Sequence, residues 1–572
     1  MEWLDALNIE QRGAATAPDG PALIMAGPGT GKTKTLTSRI AYLLASGAAQ
    51  PAHIVALTFT KKAAQEMRER AVALTPAAAE TTIATFHALC FEILGGEPAF
   101  ISDIQRLHAI KSLAKPAALK GVTTRELGLL ISRSKNMADD NPHVAALATA
   151  YDVALAAQGL IDFDDLLVRT HRLLAGDPTV RAQLQDRYRY ILVDEFQDTN
   201  RLQYELLALL RGTDNLFVIG DPNQSIYGFR GASGSIFKQF MQDFPAHTAI
   251  TLTANYRSTP EIVQVANNIF ATDTPLTAQG AVTGRVRAVQ VLNEYSEANW
   301  ILQEINAAIG GADMNSAVSN DDRGSHRTLR DFAVIYRSRS AAGAVQKAIE
   351  ASGLPYQVVG EGSPYEQPQV QTIIALLRST VSMQDTVMDN FSAPEITAIH
   401  ELLSRSDAAA PSKLVERLAD ILGFDMSPSI QQFIATLVRF KNVAAAIAYI
   451  DRVSETGFYD PDADAVTLLT IHASKGLEFP YVFVVGAEEG LLPYARADED
   501  EERRLFYVAA TRAREVLDIT YTLSRAAKPA AASRFVLALD SRVLPRVLDP
   551  MLAADKQRAK KRAAKRSQQS LF

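Results

Sequence analysis

Ala26-Gly27-Pro28-Gly29-Thr30-Gly31-Lys32-Thr33 decides how this chain is read. The four residues before it, Ala22-Leu23-Ile24-Met25, are a short apolar run that predicts a buried strand. Residues 35–44 carry apolar side chains at helical spacing. Strand, glycine-rich turn, Lys-Thr and helix is the context in which such a turn cradles phosphate. Glycines let backbone N–H groups converge on phosphate oxygens, and the positive end of the helix dipole adds to them. Lys32 is suited to the β- and γ-phosphates, and the Thr33 hydroxyl to Mg²⁺. Ala26 stands where the pattern usually opens with Gly, one small residue for another. A glycine-rich turn that binds nothing is the bland alternative; the Lys-Thr pair and both flanks argue against it.

Working outward, Asn8 offers a helix cap and Gln11, three residues on, completes a capping box. Gln11 also presents a donor and an acceptor side by side, which suits an adenine edge. Residues 54–59 read as a second strand, 61 to about 73 as a charged helix, and 82–87 as a third strand. From about 88 to 187 strands give way to helical patterns, and 190–193, 216–219 and 249–252 resume the sheet. A second α/β stretch begins at 284: strands at 286–291, 331–336, 356–359, 466–471, 482–485 and 516–521, with helices at 300–309, 341–352 and 499–514. Residues 310–330 read as a polar loop, 372–453 as another helical insertion, and the chain after about 546 as a basic, alanine-rich tail. Strands alternating with helices predict parallel sheets.

Composition sets bounds. The 572 residues are too many for one core, so three to four domains or subdomains are expected. Apolar residues make up 47% and charged residues 21%, as in ordinary globular proteins. A net charge of −6 does not advertise nucleic-acid binding, so a DNA site must be a local basic and aromatic groove. Cys90 is the one cysteine, which excludes an intrachain disulfide and a cysteine-based zinc site. No leader-like or 18-residue apolar stretch stands out, so a cytoplasmic protein without membrane contact is expected.

The acid pair Asp194-Glu195 follows an apolar strand, which in a parallel sheet puts both at the carboxyl edge, beside the phosphate loop. Asp194 suits Mg²⁺ and Glu195 suits activating water. Phosphoryl transfer also needs positive charge, and Arg230, Arg257 and Arg512 stand in suggestive settings, although an arginine is more often a surface charge.

Taken in order, these segments resemble the UvrD/Rep/PcrA family of superfamily 1A DNA helicases over about residues 1 to 540. Residues 7–11 resemble its Q motif, 26–33 motif I, 56–64 motif Ia and 85–87 motif Ib. Residues 162–167 resemble the acidic segment ahead of motif II, 194–199 motif II and 220–231 motif III. Residues 255–258 resemble motif IV, 466–479 motif V and 502–513 motif VI. The fold this implies is α/β, two RecA-like parallel-sheet domains of the P-loop NTPase type, each with a helical insertion. The implied boundaries are 1–87 and 188–280 for the ATP-binding domain 1A and 88–187 for its insertion 1B. Residues 281–371 and 455–548 are 2A, 372–454 a reduced 2B, and 549–572 a basic tail.

The resemblance also implies roles. ATP and Mg²⁺ are the cofactors, with the nucleotide bound between the two sheets. Ala26, Gly27, Pro28, Gly29, Thr30, Gly31 and Lys32 hold its phosphates, and Thr33 and Asp194 hold the metal. Gln11 and Arg39 meet the adenine, Tyr256 stacks on it, and Glu478 meets the ribose. Glu195 is the general base, Gln224 senses the γ-phosphate, and Arg257 and Arg512 clamp it. Thr58, Phe59, Thr85, His87, Tyr227, Phe229, Arg230, Tyr336 and His472 touch single-stranded DNA. Rings there make sense because every base has a π-face, so stacking grips a strand without reading it.

The chain departs from the family at several points. Phe229 replaces a usual Trp, Lys61 a usual Asn and Asn223 a usual Asp. Residues 365–368 lack the usual aromatic-aromatic-acid-Arg pattern. The family's 2B is roughly twice as long as the second insertion here. The tail carries Lys and Arg residues from 556 to 566 and ends Gln568-Gln569-Ser570-Leu571-Phe572, similar to peptides that dock on sliding clamps.

The implied activity is ATP-dependent 3′-to-5′ translocation on single-stranded DNA and helicase action at DNA junctions. The setting would be repair or replication restart, by a monomer near the nucleoid. The alternative is a clamp- or repair-complex-associated translocase that strips proteins from DNA without processive unwinding. An RNA helicase is disfavoured by motif detail.

Overall fold

The computed structural model describes residues 1–96, 99–101, 103–113, 122–136, 141–228, 231, 234–310, 327–360, 365, 367–379, 392–403, 410–454 and 459–554. Contacts divide the chain into two compact units, Met1–Thr283 with Asp498–Tyr507, and Gly284–Ala497 with Val508–Phe572.

The first unit is built on six strands: β1 (Ala22–Ala26), β2 (Ile54–Thr58), β3 (Thr82–Thr85), β4 (Tyr190–Val193), β5 (Leu216–Gly220) and β6 (Thr248–Leu252). They lie in the order β3-β2-β4-β5-β1-β6, every neighbouring pair parallel. Continuous apolar runs form these strands because helices cover both faces. Successive residues serve opposite faces: Leu23, Ile191 and Val218 join one core, and Ile24, Leu192 and Ile219 the other. The first core includes Phe237 and Phe240; the second includes Leu36, Ile40 and Met67 from α2 (Lys32–Ala45) and α3 (Lys61–Leu74). This order sets β4 beside β5 and β5 beside β1, so their carboxyl ends share one edge, where open α/β sheets bind ligands.

The third strand is shorter than the sequence pattern predicts. It stops at Thr85, whose hydroxyl accepts from the Ala88 N–H at 3.2 Å and caps α4 (Phe86–Ile93), so Phe86 and His87 are helical. The first insertion is helical as expected, with α5 (Thr124–Asn136), α6 (Pro142–Ala156) and α7 (Phe163–Gly176). One short parallel pairing, Ala99–Phe100 with Leu160–Ile161, interrupts it. A buried ammonium ties these helices together. Lys135, with 3% of its side chain exposed, sits 2.7 Å from Asp152, 3.0 Å from Asp162 and 2.8 Å from Asp165. Burial works against its charge, but Asp162, Asp152 and Asp165 outweigh it and raise its pKa. Asp162 is also the N-cap of α7, in a capping box with Asp165.

The second unit carries seven strands: β7 (Arg285–Val291), β8 (Phe332–Tyr336), β9 (Tyr356–Val359), β10 (Val466–Thr470), β11 (Phe479–Val485), β12 (Ala513–Thr522) and β13 (Arg546–Leu548). Their order is β9-β10-β8-β11-β12-β7-β13, again parallel throughout. Helices from Pro368 to Ser454 form a separate core with Ile374, Leu418, Phe433 and Ile450 at its centre. Most of the expected 310–330 loop lies outside the described residues.

Two sequence expectations change here. The helix expected at 499–514 ends sooner: α8 (Glu499–Ala510) stops, and β12 starts at Ala513, so Arg512 lies in the turn between them. Residues 546–548, at the end of the stretch expected for 2A and not read as a strand, are an edge strand paired with β7. The first turns of α8 group with the first unit rather than the second. Arg504 Nε donates to the Ser225 carbonyl at 2.7 Å, Glu501 accepts from the Gly228 N–H at 3.2 Å, and the Tyr507 ring meets Phe270 at 5.5 Å. No helix among the described residues is long and apolar enough to cross a membrane.

Candidate nucleotide and nucleic-acid site

The phosphate loop leaves β1 and enters α2 through two residues in the left-handed region, Gly29 at φ +69° and Gly31 at φ +82°. A Cβ on Gly29 would lie 2.6 Å from Arg257 Cβ, and one on Gly31 2.7 Å from Gln11 Nε2. Conformation and space both demand glycine there. The loop is braced from two sides. Gln11 Nε2 donates to the Thr30 carbonyl at 2.9 Å while Gln11 also completes the Asn8 capping box at α1 (Ile9–Ala15). Asn255 Nδ2 donates to the Pro28 carbonyl at 2.7 Å, and the Tyr256 N–H to the Gly29 carbonyl at 2.8 Å. The Tyr256 hydroxyl accepts from Asn8 Nδ2 at 2.9 Å while much of its ring stays exposed. Gln11, Tyr256 and Arg257 are thus brought to the loop. Lys32 Nζ donates to the Ala26 and Gly27 carbonyls at 3.1 and 3.2 Å.

Arg39 departs from its expected place at the adenine. It is 4% exposed, and its guanidinium donates to the Ala15 and Ala17 carbonyls, which leaves little surface for a base. Burial lowers its pKa, with Asp19 opposing.

Asp194 and Glu195 emerge from β4 as expected. Thr33 Oγ1 lies 3.3 Å from Asp194 Oδ2, so two hard oxygen donors converge beside the loop. Burial first, then the neighbouring Glu195, pushes Asp194 up to about 7, with Lys32 pulling the other way. A buried carboxylate under that strain, paired with a hydroxyl, fits Mg²⁺. Among the described residues no cluster of three or more His, Cys, Asp or Glu suits a metal.

Among the described residues Glu195 is the one acid with a left-handed backbone, φ +50°. Gln197 Nε2 donates to its carboxylate, and Gln197 Oε1 accepts from the Asp221 N–H at 2.9 Å. Gln224 Nε2 donates to Asp221 Oδ2 at 2.7 Å. Burial raises Asp221, and Lys32 opposes it. Gln197 was legible in the sequence only as one letter of a motif; its two-sided bond is a tertiary fact.

A cavity of about 470 Å³ opens beside this edge, lined by Thr58, Phe59, His87, Asn136, Phe163 and Tyr227 among others. Phe59 and Tyr227 stack at 5.1 Å and 15°, and His87 meets Phe163 edge-on at 6.4 Å. Phe163, 64% exposed, and Asp164, whose carboxylate accepts from Asn136 Nδ2 at 2.7 Å, were not among the expected DNA contacts. The Thr58 hydroxyl is buried with no partner among the described residues, a group left for a ligand to satisfy. Thr85 lies at the same edge, but its hydroxyl serves the α4 cap. Phe229 and Arg230 lie outside the described residues.

In the second unit, Arg512 is 1% exposed and donates to the Val508 and Leu477 carbonyls at 2.9 and 3.1 Å and to Thr511 Oγ1 at 3.2 Å. Glu478 lies 3.7 Å from Arg514, and His472 is half-buried in the turn after β10. Tyr336 corrects an expectation: it is 2% exposed inside the core under β8, so its ring is closed to a DNA base. Burial also raises its pKa to about 12.

A phosphate loop, an acid pair and a glutamine on adjoining ends of a parallel sheet define a P-loop nucleotide-binding protein of RecA-like fold. The profile of the UvrD/REP helicase N-terminal domain matches residues 7–126 and 108–245, and that of the UvrD-like helicase C-terminal domain matches 250–436 and 412–524. The chain belongs to the UvrD-like helicase family. It is 31% identical over 659 aligned positions to a Mycobacterium tuberculosis protein named ATP-dependent DNA helicase UvrD1, covering 92% of this chain and 83% of that one. It is 30% identical to Bacillus subtilis ATP-dependent DNA helicase PcrA, with 91% and 83% covered. For Staphylococcus aureus PcrA the figures are 29%, 91% and 84%.

Proposed function

We propose that this chain is an ATP-dependent DNA helicase and single-stranded DNA translocase that travels 3′ to 5′ in DNA repair or replication restart. One observation supports it above the rest. The braced phosphate loop and the aromatic cavity lie in one unit, joined by residues 221–227, which carry Gln224 and, three residues on, Tyr227.

In this reading the exposed Tyr256 ring stacks on the adenine, and the loop with Lys32 holds the phosphates. Gln11, buried with its amide bonded to the Asn8 N–H and the Thr30 carbonyl, braces the loop rather than reading the base. Thr33 and Asp194 would hold Mg²⁺, which supplies charge neutralisation at the phosphate oxygens. Glu195 takes a proton from the attacking water, and Gln224 contacts the γ-phosphate. Arg257 contributes positive charge; the parts of Arg512, Glu478 and His472 rest on the resemblance of motifs V and VI. Thr58, Phe59, His87 and Tyr227 grip the strand. The domain limits given from sequence, a monomeric state, a nucleoid setting, and clamp docking through Gln568, Leu571 and Phe572 belong to the same proposal. Those three residues, and the rest of the basic tail from 555, lie outside the described residues.

The test is the ATPase rate with single-stranded DNA, duplex, RNA and no nucleic acid, alongside strand displacement from substrates with a 3′ or a 5′ overhang. Stimulation by single-stranded DNA and displacement only from the 3′ overhang are expected. Equal rates with and without DNA would refute the proposal. A second reading, protein displacement without processive unwinding, draws on an alignment with UvrD1 longer than this 572-residue chain. That relative carries stretches with no counterpart here. Protein removal from DNA with no strand displacement would favour it.

A further inference from the structure

We propose that Gln197 is a positioning residue that couples the DNA-side aromatic pair to the catalytic base. The inference rests on Glu195 being the base of an ATPase and on the cavity at Phe59 and Tyr227 taking DNA.

Gln197 is fully buried in the short turn after Glu195. It touches three points. Its Nε2 donates to the Glu195 carboxylate, its Oε1 accepts from the Asp221 N–H at 2.9 Å, and its carbonyl accepts from Ser225 Oγ at 3.1 Å. The amide's orientation is fixed by chemistry: a backbone N–H must meet oxygen, so the nitrogen faces the carboxylate. One side chain thus bridges the end of β4, which carries the base, and the segment leaving β5.

That segment is stiff. Asp221, Gln224, Ser225 and Ile226 are all buried, and two residues beyond Ser225 the Tyr227 ring stacks on Phe59. A base entering beside Tyr227 therefore moves, or fixes, the atoms that bond Gln197. The receiving end is sensitive, because Glu195 holds a left-handed backbone, φ +50° and ψ +44°, which persists only where surroundings over-determine it.

Space is reserved for the amide as well. A Cβ on Gly220 would lie 2.4 Å from Gln197 Oε1 and 3.0 Å from the Phe196 nitrogen. Gly220 is outside the left-handed region, so its lack of a side chain serves Gln197 rather than the backbone.

The test compares wild type, Gln197→Glu, Gln197→Met and Gly220→Ala. Gln197→Glu keeps the acceptor for Asp221 and sets a second carboxyl against Glu195 in place of the amide donor; Gln197→Met keeps the length and loses both contacts. The readouts are kcat and KM for ATP with and without oligo(dT), oligo(dT) affinity by anisotropy, and thermal melting. Misplacing a catalytic group by an ångström costs about a hundredfold, so kcat with oligo(dT) should fall about ten- to a hundredfold in both Gln197 variants. The ratio of stimulated to basal rate should approach one, while KM and DNA affinity stay within about threefold. Gly220→Ala should lose part of the ratio.

Folded Gln197 variants that keep the wild-type ratio overturn the proposal. So does a loss confined to KM or DNA affinity, or failure of both Gln197 variants to fold, since each assigns Gln197 another role. Wild type lacking stimulation by oligo(dT) would instead refute the functional reading on which the proposal stands.

Discussion

Lys135→Met removes one ammonium from among three carboxylates. Asp162 and Asp165 are 5% and 11% exposed and cannot turn to water, whereas Asp152, 42% exposed, can. Removing one partner of a buried ion pair costs about 3–5 kcal/mol, most of it from the charge left behind. At about 2–4 °C per kcal/mol for a unit of this size, the melting temperature should fall by roughly 10 °C. The pH dependence has a definite sign. Burial already holds Asp162 above the usual carboxylate range; Lys135 pulls it down, and Asp164 and Asp165 push it up. Without Lys135 that value rises further. A raised acid destabilises the folded chain above its folded pKa and is relieved as pH falls through it. The variant's deficit should therefore be largest near about pH 8 and shrink toward about pH 5. Circular-dichroism melts of wild type and variant across that range give the answer. Adding Asp165→Asn should restore part of the loss. A variant melting within about 2 °C of wild type at pH 8 would refute the argument. A deficit unchanged by pH would show that lost packing, not stranded charge, is the cause.

Lys32→Ala should abolish ATP turnover in a folded protein, because the braced loop backbone remains; circular dichroism with an ATPase assay checks both halves. Glu195→Gln should bind ATP yet hydrolyse it about a hundredfold or more slower, and a loss under about tenfold would remove Glu195 as the base. Tyr227→Ala should weaken single-stranded DNA binding by about 1–3 kcal/mol, read by anisotropy, with nucleotide affinity unchanged in the absence of DNA. Deleting 567–572 should leave the DNA-stimulated ATPase intact and abolish sliding-clamp capture. Failure of the full-length chain to capture a clamp would end that idea.

Local features were the legible ones. The phosphate loop, with its strand and helix, is written in consecutive residues, and so is the Asn8–Gln11 capping box. Strands such as β2 stand out because burial on both faces makes the whole run apolar. Errors arose where one local bond overrides a pattern: Phe86 and His87 extend an apolar run, but the Thr85 cap turns them into helix. Tyr336 is at a strand end, as expected, yet sequence does not say that its face is the core face. Arg39 reads as a helical cation near the loop, and only the fold reveals the two carbonyls that occupy it. Lys135 and Gln197 were beyond reach for a related reason. Their partners come from separate elements, and each residue type is ordinarily a solvated one.

The strand order has a consequence for the chain as it is made. β1, which carries the phosphate loop, pairs only with β5 and β6, so it leaves the ribosome roughly 190 residues before its first partner. At about 5–20 residues per second, that is a wait of roughly 10–40 s with an unpaired apolar strand exposed. β7 waits still longer for β12, more than two hundred residues on. Neither sheet can close by local pairing alone. Each sheet is therefore completed only when strands made late in synthesis arrive beside those made early, and faster elongation shortens the interval.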